Sequence, residues 1–379
     1  MESQTRSIID YFGEIDDYRR DNTNKRHEFI DILVIALCGM LSAADDWVSI
    51  AEYGEAKKDW FAQFLSLTNG IPSHDTFNRV FSRIDPDQFM NCFLNWVKSL
   101  HSILDKEVVA IDGKTLRRSH DNRDKKAAIH MVSAWATQSS LVLGQIKTAE
   151  KSNEITAIPE LLKSLALEGC LVSIDAMGCQ KEIAKTIVNK GADYLLAVKD
   201  NQPTLKQDIE DVLAQRLPKQ YENPAIDFHE SEEKNRNRNE IRRCWSTESL
   251  SKLTTSNDWA GLTSIALLES ERTIDGETSI EQRYYICSRR ANAKEILYAT
   301  RNHWGVENSL HWVLDMAFRE DECRVRKGNG AENLARLRHI AMNLLKQDKT
   351  TKIGVKNKRL KAGWDQDYLL HLLNLIPEP

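Results

Sequence analysis

The chain has 379 residues and a formal net charge of −4. That length supports two or three domains with a sizeable core, and the charge excludes a protein that grips nucleic acid by overall basicity. The charge is uneven, however: acids outnumber bases in the first hundred residues, and bases outnumber acids from Arg319 to Lys361, so a polyanion partner would fall to part of the chain.

Residues 1–104 read as an all-helical N-terminal domain. Asp10, Glu14, Asp16 and Asp17 interrupt any signal-peptide pattern. The apolar stretch from Phe29 to Ala44 carries Asp31 and is too short to span a membrane, so it reads as a buried helix, and no membrane association is expected. Asn69-Gly70-Ile71-Pro72 is a turn signal, and Ser73 stands as an N-cap before His74 to Phe81. Arg79 and Arg83 leave two readings of this short helix open, a DNA-contacting element or a packing module.

Next comes Val108-Val109-Ala110-Ile111-Asp112-Gly113-Lys114. An apolar run without alternation predicts a strand buried on both faces, here ending in an acid, with Lys114, Arg117 and Arg118 as candidate phosphate contacts. The pattern recurs at Cys170 to Gly178, where the strand ends in Asp175. Two carboxylates at neighbouring strand ends repel by roughly 4 kcal/mol at about 4 Å and an effective dielectric near 20. A divalent cation relieves this, and Mg²⁺ accepts oxygen ligands while keeping waters and phosphates in its shell. Strands over 128–136, 141–146 and 193–199, and helices after 158 and 179, complete an order βββαβαβ. This is the order of an RNase H-like α/β core: a mixed sheet flanked by helices, with functional residues at strand carboxyl ends.

Residues 201–290 break that alternation and read as a mainly β insertion, with Asp275-Gly276 as a hairpin signal and Trp245 as a core residue in preference to a base-stacking platform. The catalytic unit is taken as 105–345, and 346–379 as a basic C-terminal tail. From Arg301 to Asp315 a helical stripe places Glu307, His311 and Asp315 at i, i+4 and i+8. Glu307 is the candidate third acid, taken to lie near the start of its helix where the dipole favours an anion. Seven scattered cysteines without a CxxC pair exclude a zinc ribbon and predict reduced thiols and a cytoplasmic location.

The segments "AIDGKTLR", "EKSNEITAIPELL", "DAMGCQKEIA", "DYLLAVKDNQ" and "RNHWGVENSLHWVLDMAFRED" resemble the H-repeat-associated, Rhs-element-linked transposases, a branch of the bacterial insertion-sequence DDE transposases. The resemblance covers almost the whole chain, including the helical N-terminal part. It implies an RNase H-like catalytic domain interrupted by a β insertion before the last acid, and strand cleavage and transfer with two Mg²⁺ ions, for which Mn²⁺ substitutes. By motif, Asp112, Asp175 and Glu307 match the three acids that bind metal. Arg301, His303, Arg324, Arg326 and Lys327 join Lys114, Arg117 and Arg118 as expected DNA contacts. The implied partners are double-stranded DNA, as element ends and target, and a second copy of the chain in a synaptic complex associated with the nucleoid. Tyr298 and Arg301 are present from the Tyr-Arg-Glu-Lys signature of related enzymes, but His303 stands in the place of an Arg and Leu314 in that of a Lys. Two other readings stay open: a nuclease on the same fold without strand transfer, and an inactive DNA-binding remnant.

Overall fold

A computed structural model describes residues 6–19, 25–100, 107–120, 127–148, 154–214, 225–235 and 237–373. The boundary expected near residue 104, and the loop cations Arg123, Lys125 and Lys126, lie outside these residues. The N-terminal part folds into α1 (Ile8–Phe12), α2 (Phe29–Leu41), α3 (Trp47–Ala56), α4 (Lys58–Phe61), α5 (His74–Phe81) and α6 (Pro86–Leu100). α2 is apolar around its circumference because it is buried on all sides. Its one acid, Asp31, is buried too and accepts the Leu67 N–H at 3.1 Å. Ser73 caps α5 as expected, its hydroxyl accepting the Thr76 N–H.

Nine strands form one sheet in the order β3-β2-β1-β4-β5-β9-β8-β7-β6. β1 (Val108–Leu116), β2 (Ile129–Ala136) and β3 (Leu141–Lys147) make an antiparallel meander. β4 (Leu171–Ile174) and β5 (Asp193–Val198) run parallel to β1, reached through helices α7 (Glu154–Ser164) and α8 (Lys181–Asn189). After α9 (Pro203–Leu213), β6 (Asp227–Asn235), β7 (Arg238–Thr247), β8 (Ser264–Ile274) and β9 (Glu277–Cys287) continue the same sheet, β9 pairing antiparallel with β5. The β insertion is therefore an extension of the central sheet. Its hairpin turns at Asp275 (φ 50°) and Gly276 (φ 90°), as an Asp-Gly pair predicts. β6 escapes periodicity because it is charged along its length. Its acids face cations on β7, with Glu230 accepting from Arg243 at 3.0 Å and Glu233 from Arg242 at 3.3 Å. Trp245 is buried against Phe228, as a core residue.

α10 (Ala293–Val306) lies across the sheet, followed by α11 (Trp312–Phe318), α12 (Gly330–Gln347), α13 (Val355–Trp364) and α14 (Gln366–Leu373). α12 ties the two parts together. Asn333 Nδ2 donates to the carbonyls of Phe81 and Ile84 at 2.9 and 3.0 Å, and Asn343 exchanges two hydrogen bonds with the Val142 backbone on the edge strand β3. One continuous apolar core consequently runs from α1 through the sheet to α14. The expected basic tail is corrected here. Lys358 and Arg359 are buried, and the Arg359 guanidinium donates to the Met40 carbonyl and to Asp45 Oδ1 at 2.6 Å. Of these cations that read as solvated, Arg359 anchors α13 to the N-terminal helices, and Lys358 ties it to the Leu345 carbonyl and Asp348 at the end of α12. Among the described residues no helix is long and apolar enough to cross a membrane.

Candidate active site

The last parallel pair between β1 and β4 is Ile111 opposite Ile174, so Asp112 and Asp175 follow in register. Residues two apart share a face of a sheet. Val108 and Leu171 pack with Ala293, Ile296 and Leu297 of α10, which puts Asp112 and Asp175 on the face that α10 covers. α10 turns its packing stripe through Ile296, Thr300 and His303, all buried, and one turn further brings Glu307. Burial, followed by the charges of Asp175, Glu154 and Glu307, pushes the Asp112 carboxyl up to about 6. Burial and then Glu154 also raise Asp175. Backbone donors hold both acids: Gly113 N–H to Asp112 at 2.9 Å, and Met177 N–H to Asp175 at 3.1 Å.

The helix carrying Glu307 is not regular. The Trp312 N–H donates to the Glu307 carbonyl, a five-residue step, and Glu307–His311 form a π turn between α10 and α11. Such single-turn insertions concentrate at functional positions. The i, i+4, i+8 line drawn through Glu307, His311 and Asp315 is thereby broken. Glu307 also lies at the end of α10, where the dipole does not favour an anion. Asp315 faces elsewhere, toward Lys114.

Lys114 corrects a second expectation. It is half-buried between Asp315 and Glu320, with Glu320 Oε2 at 2.9 Å, so it is not free to hold phosphate. Glu320 is itself buried, faces Arg338 at 3.8 Å, and is held below the usual carboxylate range by Lys114 and Arg338 against the opposing effect of burial. His303 is corrected likewise. Burial lowers its imidazole to about 4, its ring hydrogen-bonds the Ser173 backbone, and it is a neutral spacer between α10 and β4. His311 Nδ1 stands 3.5 Å from Asp112 Oδ2, with burial lowering it to about 4. Arg301 pairs with Glu233 on β6. Arg117 and Arg118 are exposed, Arg117 lying 3.3 Å from Asp321. Arg324 and Lys327 are exposed, and Arg326 Nε donates to the Arg118 carbonyl at 2.9 Å.

One acid beside the pair was not singled out from sequence. Glu154, the first residue of α7, accepts from His130 Nε2 at 2.7 Å, and its charge acts on both Asp112 and Asp175. Gly113 makes room for it: a Cβ there would lie 2.2 Å from Glu154 Oε1 and 2.4 Å from His130 Nε2. In sequence Glu154 reads only as a favourable acid at a helix start; the Gly after Asp112 was the available signal of a close approach. Beside Asp175 opens a cleft of about 400 Å³ lined by Lys199, Arg283, Tyr284, His303 and Trp304, with the Arg283 guanidinium 4.3 Å from the centre of the Trp304 ring.

A cation-binding role has partial support in this geometry. The donors are carboxylate oxygens, the chemistry Mg²⁺ prefers, and two of them are adjacent in a field of like charge. As the side chains stand, no three His, Cys, Asp or Glu groups among the described residues are close enough together to enclose an ion. A Mg²⁺ site does not require such a cage, since waters and substrate phosphates fill part of its shell.

Residues 103–344 match the family model of the transposase DDE domain, and residues 9–97 match the DDE_Tnp_1-associated domain. The chain is 43% identical to the "H repeat-associated putative transposase YhhI" of Escherichia coli (strain K12), over 98% of each chain. It is 41% identical to the "Putative transposase YncI" of Escherichia coli O157:H7, over 97% of this chain and 94% of that one. Among solved structures, the piggyBac transposase synaptic complex with hairpin DNA aligns over 97% of this chain and 78% of the other, with TM-score 0.43 and 14% identity.

Proposed function

The chain belongs to the transposase DDE domain family, and we propose that it cleaves and transfers DNA strands at the ends of an insertion-sequence element on an RNase H-like core. The observation that carries this reading is the register that sets Asp112 beside Asp175 on the face crossed by α10, with Glu307 one turn beyond His303. The strand order β3-β2-β1-β4-β5 with β1–β3 antiparallel and β4 and β5 parallel to β1 supports the RNase H-like assignment. Asp112, Asp175 and Glu307 would hold two Mg²⁺ ions, for which Mn²⁺ would substitute. When bound, the ions supply activation of a water or 3′ hydroxyl and stabilisation of the leaving oxygen.

The chain's own residues supply the rest. Asp112 and Asp175 present like charges that a cation relieves, and their backbone hydrogen bonds keep them aimed. His303 fixes the distance of α10 from β4 without adding charge. Arg117 and Arg118, beyond the end of β1, face solvent and position phosphates of a double-stranded substrate. Element ends and target would be brought together by two copies of the chain. The test is an assay of Mg²⁺-dependent nicking and of joining to a second duplex, on DNA carrying the sequences that flank the element. Nicking with joining supports the transposase; nicking alone supports a nuclease on this fold; neither activity, with DNA still bound, supports a DNA-binding remnant.

A further inference from the structure

Far from the acids, the N-terminal helices enclose a cleft of about 890 Å³ lined by Arg19, Lys25, Arg26, His27, Arg79 and Arg83. Five of the ten Lys and Arg residues in the first hundred positions line it, although that stretch is acidic on balance. Among the described residues, Asp17 faces them and takes Arg19 at 2.7 Å and Lys25 at 3.0 Å. Arg26, Arg79 and Arg83 are exposed. Among the described residues, the Arg79 guanidinium donates to the Thr76 hydroxyl, at 3.4 Å.

The cleft does not end at the helices. The Ser82 carbonyl, next to Arg83, accepts the Asn329 N–H at 3.0 Å. This seats the loop bearing Arg324, Arg326 and Lys327 beside the cleft. Arg326 in turn donates to the Arg118 carbonyl at 2.9 Å, four residues past Lys114 on the strand of Asp112. The exposed cations thus follow one another from Arg26 and Arg79 through Arg83 and Lys327 to Arg118. The acids along this stretch are Asp321, beside Arg117, and Glu322, which pairs with Arg319 at 2.5 Å and also feels the charge of Arg118.

We propose that this cleft binds the phosphodiester backbone of duplex DNA, as the far end of a cationic track leading to Asp112 and Asp175. The proposal rests on the function proposed above, because a row of cations that ends at a phosphodiester-cutting site fits one continuous polyanion. The contacts are to phosphate and carry no sequence information.

The test uses the full-length protein and a short linear duplex, with affinity measured by fluorescence anisotropy across salt concentrations. The variants are Arg79→Ala/Arg83→Ala and the charge-retaining Arg79→Lys/Arg83→Lys, with folding followed by circular dichroism. Each lost phosphate contact removes about 0.9 from the slope of log affinity against log salt. The alanine pair is expected to flatten that slope by about 1.8, so that raising salt from about 50 to 200 mM costs it about tenfold less affinity than wild type, and the lysine pair restores the slope. An alanine pair with the wild-type slope overturns the proposal and leaves the function above standing. A wild-type protein that binds no duplex overturns both. Should the double change unfold the domain, Arg26→Ala, on another segment of the cleft, reads the same quantity, with about 0.9 expected and no change overturning.

Discussion

Around Asp112, acids gather with little to answer them: burial and then Asp175, Glu154 and Glu307 push its carboxyl upward, and His311, 3.5 Å away, is held neutral by its own burial. Around Lys114, two residues along the same face of β1, every charge meets an opposite one, in Asp315, Glu320 and Arg338. Both places are largely buried and both are polar. The difference lies in whether the protein supplies the compensating charge itself. Where it does, the residues lock α11 and α12 to the sheet; where it does not, the fold keeps a field of like charge that the chain itself leaves uncompensated, the pattern functional sites favour.

The strongest way to break this contrast is at the unanswered acids. Asp112→Asn and Asp175→Asn are each expected to lower Mg²⁺-dependent nicking by at least about 10³-fold, since metal-held charge stabilisation is worth several kcal/mol. Wild-type rates in either variant would remove the pair from the reaction. At the paired site, Glu320→Gln leaves Lys114 and the buried Arg338 with one partner fewer. Urea denaturation should show a loss of about 3–5 kcal/mol, whereas Glu307→Gln should leave the denaturation midpoint in place and still abolish nicking. If the two variants behave alike, the division into structural and functional charge is wrong.

The two regions also answer pH with opposite sign. Burial holds His339, beside Glu320, down to about 3. Its unfolded imidazole takes up a proton below about 6.5 that the folded ring refuses, so stability falls as pH falls. His339→Gln should recover about 2 kcal/mol of the loss between pH 6.5 and 5, read from denaturation curves at the two values. Asp112 acts the other way. Its folded carboxyl sits at about 6 against 3.8 unfolded, so the ionised form opposes folding fully above pH 6, and the opposition fades as pH drops toward 4. In metal-free protein, Asp112→Asn should be the more stable by about 1 kcal/mol at pH 8, discounted for a carboxylate about a quarter exposed, with the gap closing by pH 4. A gap that is constant with pH would mean that neither burial nor the acids around Asp112 raise its carboxyl in the folded protein.

Much of the sheet was legible. The two apolar runs leading to Asp112 and Asp175, the order of β1 to β5, the Asp-Gly hairpin and the Ser73 cap all follow from local pattern, but the first strand, expected to end at Asp112, continues to Leu116 through its pairing with β2. What escaped depends on partners far along the chain. Lys114 looked like a phosphate ligand because its counterions lie about two hundred residues away, in a stretch that reads as solvent-facing. Lys358 and Arg359 looked like a tail for the same reason, since nothing local says that a guanidinium will meet the Met40 carbonyl. β6 hid because its stability comes from charge pairs across the ladder, which carry no hydrophobic period. The π turn hid because one extra residue changes the phase of a helix without changing its composition, and Glu154 because an acid opening a helix is commonplace.

The pairing of β5 with β9 bears on how copies of such a gene decay. β5 carries Tyr194, Leu195, Leu196, Ala197 and Val198, and β9 covers one of its edges along Leu195 to Val198. A deletion that removed residues 227–287 would uncover that edge, a short apolar strand with unpaired backbone groups and so a template for aggregation. Gene copies shortened there should yield insoluble or rapidly degraded product, and could not linger as folded competitors for DNA. Copies disabled by a point change at Asp112 or Asp175 would keep the sheet closed and remain soluble. Among decayed relatives, the kind of lesion would then decide whether an inert protein is still made.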